Sequence, residues 1–138
     1  MPLWKKVQPG RSSRPKSILT GHDGSAELLA IALDGTWLAT AGTDRLVRIW
    51  DPATGEHRHF LPGRAADAVL RLAVSPDGTR LASADRNGII EIHDPTLAFP
   101  GRTMHTSSPP QILTWLPGTT TVAAGNTETL HLFHLPHP

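Results

Sequence analysis

The chain contains no cysteine among its 138 residues. A disulfide framework is therefore excluded, and so is a metal site built on thiolates. No run of about 18 apolar residues occurs, so no membrane-spanning helix is expected. The N-terminal stretch lacks the apolar core of a secretory leader. Charge of either sign is not in excess: 13 Lys and Arg stand against 12 Asp and Glu, a formal net charge of +1. No global field therefore steers the chain toward nucleic acid or a membrane surface. The balance is uneven along the sequence, because Lys5, Lys6, Arg11, Arg14 and Lys16 meet no acid before Asp23. Residues 1–15 read as a basic, flexible, solvated tail. No interleaved aromatics support base stacking there, and nucleic acid is not expected as a partner. A chain without cysteine or leader suits a reducing compartment, and the cytoplasm is the expected location.

Turn residues, by contrast, are plentiful. The 13 prolines and 12 glycines punctuate short apolar runs, as an all-β repeat requires. Leu29, Ile31 and Leu33 alternate with their neighbours, as do Leu70, Leu72 and Val74, which is the period of a half-buried strand. Asp34-Gly35 and Asp77-Gly78 read as hairpin turns, with glycine supplying a positive φ. Asn87-Gly88 marks another, and Pro52-Ala53-Thr54-Gly55 a fourth. Ala39 and Ala82 are small, as closely stacked sheets demand.

These pieces recur. Asp34-Gly35-Thr36 returns as Asp77-Gly78-Thr79, and Ile49-Trp50-Asp51-Pro52 returns as Ile92-His93-Asp94-Pro95, both about 43 residues later, inside the period of a propeller blade. A weaker third copy runs from Gln111 to Leu135. There Leu130-His131-Leu132-Phe133 stands where Val47-Arg48-Ile49-Trp50 stands, with Trp115-Leu116-Pro117-Gly118 upstream. Strands are expected at Leu28–Leu33, Trp37–Ala41, Leu46–Trp50 and His57–Leu61, then at Ala68–Ser75, Arg80–Ala84, Ile89–His93 and Arg102–Thr106. Ile112–Leu116, Thr120–Ala124 and Leu130–His134 complete the set, and Ser17–Leu19 is a further leading strand. Together with Gly21-His22 and Trp50-Asp51, the period makes the chain similar to the WD40 repeat family. The resemblance implies an all-β fold, a partial WD40-type β-propeller of about three four-stranded blades. Rings of this kind close with four to eight blades, so the expectation is an open wedge. The repeat domain would occupy residues 16–138, with blades at about 19–61, 62–106 and, degenerate, 107–138. The third unit is expected to lack an outer strand.

The same resemblance assigns a structural tetrad to His22, Thr40, Asp44 and Trp50. Their chemistry suits a buried chain of hydrogen bonds: indole donates, hydroxyl donates and accepts, imidazole bridges, and carboxylate accepts. The second unit keeps a degenerate version in Ser83, Asn87 and His93. Thr43, Arg45 and Arg86 lie beside the tetrad aspartate positions, on loops where the family commonly binds peptides. They are the candidate partner-binding residues, suited to an acidic segment. The plainer reading makes them ordinary exposed loop residues. His131, His134 and His137 form a histidine triplet, but a spacing of three on a strand puts neighbours on opposite faces, so no metal and no cofactor is expected. No G-x-S-x-G elbow accompanies His22 and Asp44, and catalysis is not expected.

The function read from these residues is a non-enzymatic protein-interaction scaffold. It would be a propeller fragment that needs a partner, a homodimer mate or a complementing propeller fragment to close. The competing reading is a propeller-type enzyme or ligand-binding domain, for which only Glu27 offers an acid at the start of an inner strand. A regulatory remnant of a larger kinase- or NTPase-linked WD40 protein is the other alternative. No P-loop or kinase motif lies within the chain to support it.

Overall fold

Period-two stretches between glycine turns fold as antiparallel strands throughout the described residues. The structure, a computed structural model, describes residues 26–42, 45–60, 68–94, 101–106 and 108–136. The readings on the tail 1–15, on Ser17–Leu19 and on His22, Thr43, Asp44 and His137 lie outside them. β1 (Ala26–Ile31), β2 (Leu38–Gly42), β3 (Val47–Asp51) and β4 (Glu56–Phe60) form the first sheet, in that order. β5 (Val69–Val74), β6 (Leu81–Asp85), β7 (Ile89–His93) and β8 (Thr103–His105) form the second. β9 (Ile112–Trp115), β10 (Thr121–Gly125) and β11 (Leu130–His134) form a third, of three strands. The sheets are meanders and do not close on themselves, the open all-β arrangement expected from the repeats.

Register makes the three sheets equivalent position by position. In the first, Leu38 pairs with Ile31 on one side and Trp50 on the other. In the second, Leu81 pairs with Val74 and His93. In the third, Val122 pairs with Trp115 and Phe133. Two of the first turns share one device: Asp34 accepts from the amide and hydroxyl of Thr36 at 3.0 and 2.8 Å, and Asp77 from those of Thr79 at 3.0 and 2.7 Å. Gly35 and Gly78 each sit at φ 75. The third turn substitutes Pro117-Gly118, with Gly118 at φ 72 and the Thr119 amide bonded to the Leu116 carbonyl at 3.2 Å. That is the proline-then-glycine chemistry of a type II turn. β1 stops at Ile31 rather than the expected Leu33. The Ala32 amide bonds the Trp37 carbonyl and Gly35 bonds back to Ala32, so Leu33 is carried into the turn and is 87% exposed.

The sheets stack through their inner strands, β1 against β5 and β5 against β9. Ala39, Ala41, Val47 and Ile49 of the first sheet meet Leu72, Val74, Val69 and Leu81 of the second in one core. Ala82, Ala84, Ile90 and Ile92 of the second meet Leu113, Trp115, Val122 and Phe133 of the third in the other. Each buried Ile or Leu contributes about 1.5–3 kcal/mol relative to exposure, while the alanines let the sheets approach. Polar staples cross both seams. Trp37 Nε1 donates to the Gly78 carbonyl and Trp115 Nε1 to the Ala73 carbonyl, each at 3.0 Å. Arg71 Nε reaches the Gln111 carbonyl and Arg80 Nη2 the Pro136 carbonyl, each at 2.9 Å.

Candidate interaction face

A β-meander alternates its turns between two ends. The turns β2–β3, β6–β7 and β10–β11 share one end with the links that lead into β5 and β9. Arg45 and Arg86 lie at this end, exposed. Arg45 has a φ of 65, the one non-glycine residue with positive φ among the described residues. The equivalent position of the second sheet is Gly88, at φ 80. A side chain at Gly88 would also meet the Thr106 carbonyl oxygen, 2.8 Å from an added Cβ. Arg45 thus holds a left-handed conformation that costs a non-glycine residue about 1–3 kcal/mol.

Arg71 joins this end without having been singled out from sequence. A bulge between Val69 and Arg71 in β5, matched by one between Ala26 and Leu28 in β1, shifts the strand at its start. Such bulges re-aim side chains at rims and sites. The Arg71 guanidinium is fixed by the Gln111 and Leu70 carbonyls at 2.9 and 2.7 Å. It borders a cleft of about 620 Å³ shared with Ser108, Pro110, Gln111, Asn126 and Glu128. Asn126 organises the far wall, donating to Ser108 Oγ and accepting from the Glu128 and Thr129 amides. No local motif distinguishes Arg71 in the sequence; its role follows from a bulge and from a neighbouring sheet.

At the opposite end, three carboxyls are held below the ordinary aspartate value. Asp34 is lowered first by the Thr36 amide, Asp51 first by the Ala53 amide, and Asp77 first by the Ser75 hydroxyl, then by Thr79. Arg58 also sits 3.4 Å from Asp51. These acids remain ionised at neutral pH, at the end away from Arg45, Arg71 and Arg86.

Of the tetrad residues, Thr40 and Trp50 are described and meet: Trp50 Nε1 donates to Thr40 Oγ1 at 2.8 Å, both buried. In the second sheet His93 Nε2 lies 3.4 Å from Ser83 Oγ and 3.2 Å from Glu91 Oε2. Asn87 is not brought to that pair. It stays in the exposed turn and gives its amide to Asp85 Oδ1 at 2.9 Å, and Ile89 does the same at 3.0 Å. The buried carboxylate of this turn is Asp85, two residues before Asn87, which stands at the tetrad aspartate position. In the third sheet Ala124 and Phe133 occupy the corresponding places. His131 stacks on Phe133 with centroids 6.0 Å apart, while His134 Nδ1 meets Thr121 Oγ1 at 2.7 Å. Neighbouring histidines of the triplet thus point to opposite faces of β11.

With this geometry in place, comparison with known proteins is decisive for the family. The WD40 profile (WD domain, G-beta repeat) matches residues 13–51 and 55–94, more than half of the chain. The chain belongs to the WD40 repeat family. The third sheet of this WD40 chain lies outside both matched segments. Ribosome biogenesis protein erb1 of Botryotinia fuckeliana is 49% identical over 41 residues, 30% of this chain and 5% of that protein. The U3 snoRNP-associated protein-like YAO of Arabidopsis thaliana is 48% identical over 42 residues, 30% of this chain and 8% of that one. Among solved structures, U3-55K superimposes with a TM-score of 0.73 at 25% identity, covering 78% of this chain and 35% of the other. The chain thus spans a small part of the curated relatives' length and about a third of the solved neighbour.

These matches correct the expected location. The similar proteins are named for ribosome biogenesis and for association with the U3 snoRNP, which does not fit a cytoplasmic assignment. The cytoplasmic expectation rested on missing cysteine and a missing leader. Those absences bear on secretion, and they do not separate cytosol from nucleus.

Proposed function

We propose that this WD40 chain is a non-enzymatic interaction module whose turn end receives an acidic segment of a protein partner. The observation that supports this most directly is the grouping of Arg45, Arg71 and Arg86 at one end, with Arg45 in a left-handed backbone conformation. Arg71 is held by two carbonyls beside the cleft of about 620 Å³. Guanidinium groups fixed in this way are suited to carboxylates, which they can engage bidentately. Thr43, two residues before Arg45 in sequence, is assigned to the same surface. His22 and Asp44 are assigned to the network that Thr40 and Trp50 begin, a structural role that leaves no catalytic pair. Relatives named for ribosome biogenesis and for association with the U3 snoRNP support a scaffold role within a larger particle. The large apolar side chains left exposed on the end sheets are to be covered by self-assembly or by a partner.

A fluorescent peptide of alternating Glu and Ser, titrated with the whole chain, tests this reading. Binding is expected to weaken with salt and to fall about tenfold in Arg45→Ala and in Arg86→Ala, the loss of one charge-assisted contact. Affinity unchanged by both substitutions would refute the arginine end as the binding surface.

A further inference from the structure

The two sheet faces left open at the ends of the stack are complementary to each other. Each sheet has a front, turned toward the next sheet, and a back, turned toward the one before. The front of the first sheet pairs Ala39 with Ile49 and Ala41 with Val47. The front of the second pairs Ala82 with Ile92 and Ala84 with Ile90. Both are buried in seams. The front of the third pairs Ala123 with Leu132 and Gly125 with Leu130, the same small-opposite-large pattern. Ala123 and Gly125 are shielded, yet the large side chains of this face are not: Leu132 is 51%, Leu130 62% and Ile112 52% exposed.

The backs follow the same rule. Leu72 and Val74 of β5 pack into the first seam, and Leu113 and Trp115 of β9 into the second. Their equivalents in β1 are Leu29 and Ile31, which are 61% and 55% exposed. The outer part of that back, around Thr40, Arg48 and Trp50, is buried, so its open region is the inner strand. That is the strand each existing seam uses, β5 against β1 and β9 against β5. The described residues therefore leave an uncovered front and the inner-strand part of a back, each of the kind already joined twice among them.

We infer that the back of β1 in one copy seats on the front of the third sheet in a second copy, at two equivalent seams. The three described sheets are too few to bring their own two end faces together, since closed propellers have at least four blades. Two copies supply six sheets, which lies inside the closing range. Front meets back at both seams, so the contact is heterologous and closes by a two-fold rotation. The inference rests on the scaffold reading only in treating the chain as an incomplete propeller, and it is independent of the arginine end.

Light scattering of the intact chain over a concentration series is the test. A discrete species of twice the 14.9 kDa chain mass is expected. Ile31→Arg and Leu132→Glu each place a charge in both seams of a homodimer. Each is expected to weaken dimerisation roughly 100-fold or more. Mixing the two variants leaves one seam built of unaltered faces, so a dimer is expected to return in the mixture. Both sites are half exposed, so the charges are tolerated in the monomer. If circular dichroism shows either variant unfolded, Ile31→Ala and Leu132→Ala replace them, with roughly tenfold effects expected. A cooperatively folded monomer at every concentration overturns the inference, as does an open-ended polymer or a dimer indifferent to both substitutions. A monomer that still binds the acidic peptide through Arg45 and Arg86 would refute the inference and leave the proposed function standing.

Discussion

Three side chains occupy one structural position, and their partners change with them. Trp50 donates to Thr40 at 2.8 Å, His93 stands opposite Ser83 at 3.4 Å, and Phe133 stands over Ala124. Where the donor is gone, the acceptor is gone too. This pairing follows from the asymmetry of buried hydrogen bonds. Removing one partner strands the other at about 1–3 kcal/mol, whereas replacing both by apolar groups is nearly neutral. The same logic gives a double-mutant prediction. Trp50→Phe should cost about 1–3 kcal/mol in urea unfolding. Thr40→Ala added to it should cost less than the sum of the two single changes, with a coupling of roughly 0.5–3 kcal/mol. Additive costs would mean that the observed bond contributes nothing. At this scale the sequence was legible where a repeat residue kept its type, as at Trp50 and Thr40. It was silent on Asp85, whose buried carboxylate takes the amides of Asn87 and Ile89 in a backbone turn.

At the scale of elements, the turns set the strands. Asp77 takes the Ser75 hydroxyl at 2.7 Å and the Thr79 hydroxyl at 2.7 Å, and these bonds lower its pKa from the ordinary 3.8. The sign of the pH effect follows. A carboxyl with a depressed folded pKa contributes stability above its unfolded value, and that contribution disappears as pH falls through the folded one. Asp77→Asn should therefore be less stable than the parent at about pH 6, and the gap should be smaller at an acid pH below the ordinary carboxyl value of 3.8. Denaturation midpoints at the two pH values check this; an equal gap at both would rule out the carboxylate as the source. The strands themselves were readable, because glycine and proline bracket period-two runs. Strand ends were less so, and Leu33 shows why: the alternation continues past Ile31, but the Ala32–Trp37 bond has already closed the turn.

At the largest scale the described sheets form a stack with one inner and two outer members. Every residue of β6 is buried, as is every residue of β10, the middle strand of the third sheet, but of the two β6 alone has a seam on each side. β11 alternates exposed and intermediate residues and pairs, among the described residues, with β10 alone. Stability should therefore be graded, as in other linear repeat arrays. Hydrogen exchange is expected to be slowest in β6 and fastest in β11. If copies mate as inferred, raising the protein concentration should protect β1 and β11 while leaving β6 unchanged. Uniform exchange across the sheets would indicate a single cooperative unit and contradict the gradient.

The sequence by itself determined the local pieces: where the chain turns, which residues alternate, the repeat, and membership of a family recognisable from the His and Trp marks of its first unit. These are properties of neighbouring residues, set by backbone sterics and strand period, and they are visible wherever neighbours are. Only the tertiary structure decided what depends on residues far apart. It placed Arg71 beside the cleft through a bulge and a carbonyl of the next sheet. It turned Trp37, Trp115 and Arg80 into staples between sheets. It also left Leu29 and Ile31 uncovered at one end of the stack and Leu130 and Leu132 at the other, although their equivalents in between are packed. Identical local patterns acquire different burial because burial depends on which sheet comes next, and among the described residues the end sheets have a neighbouring sheet on one side.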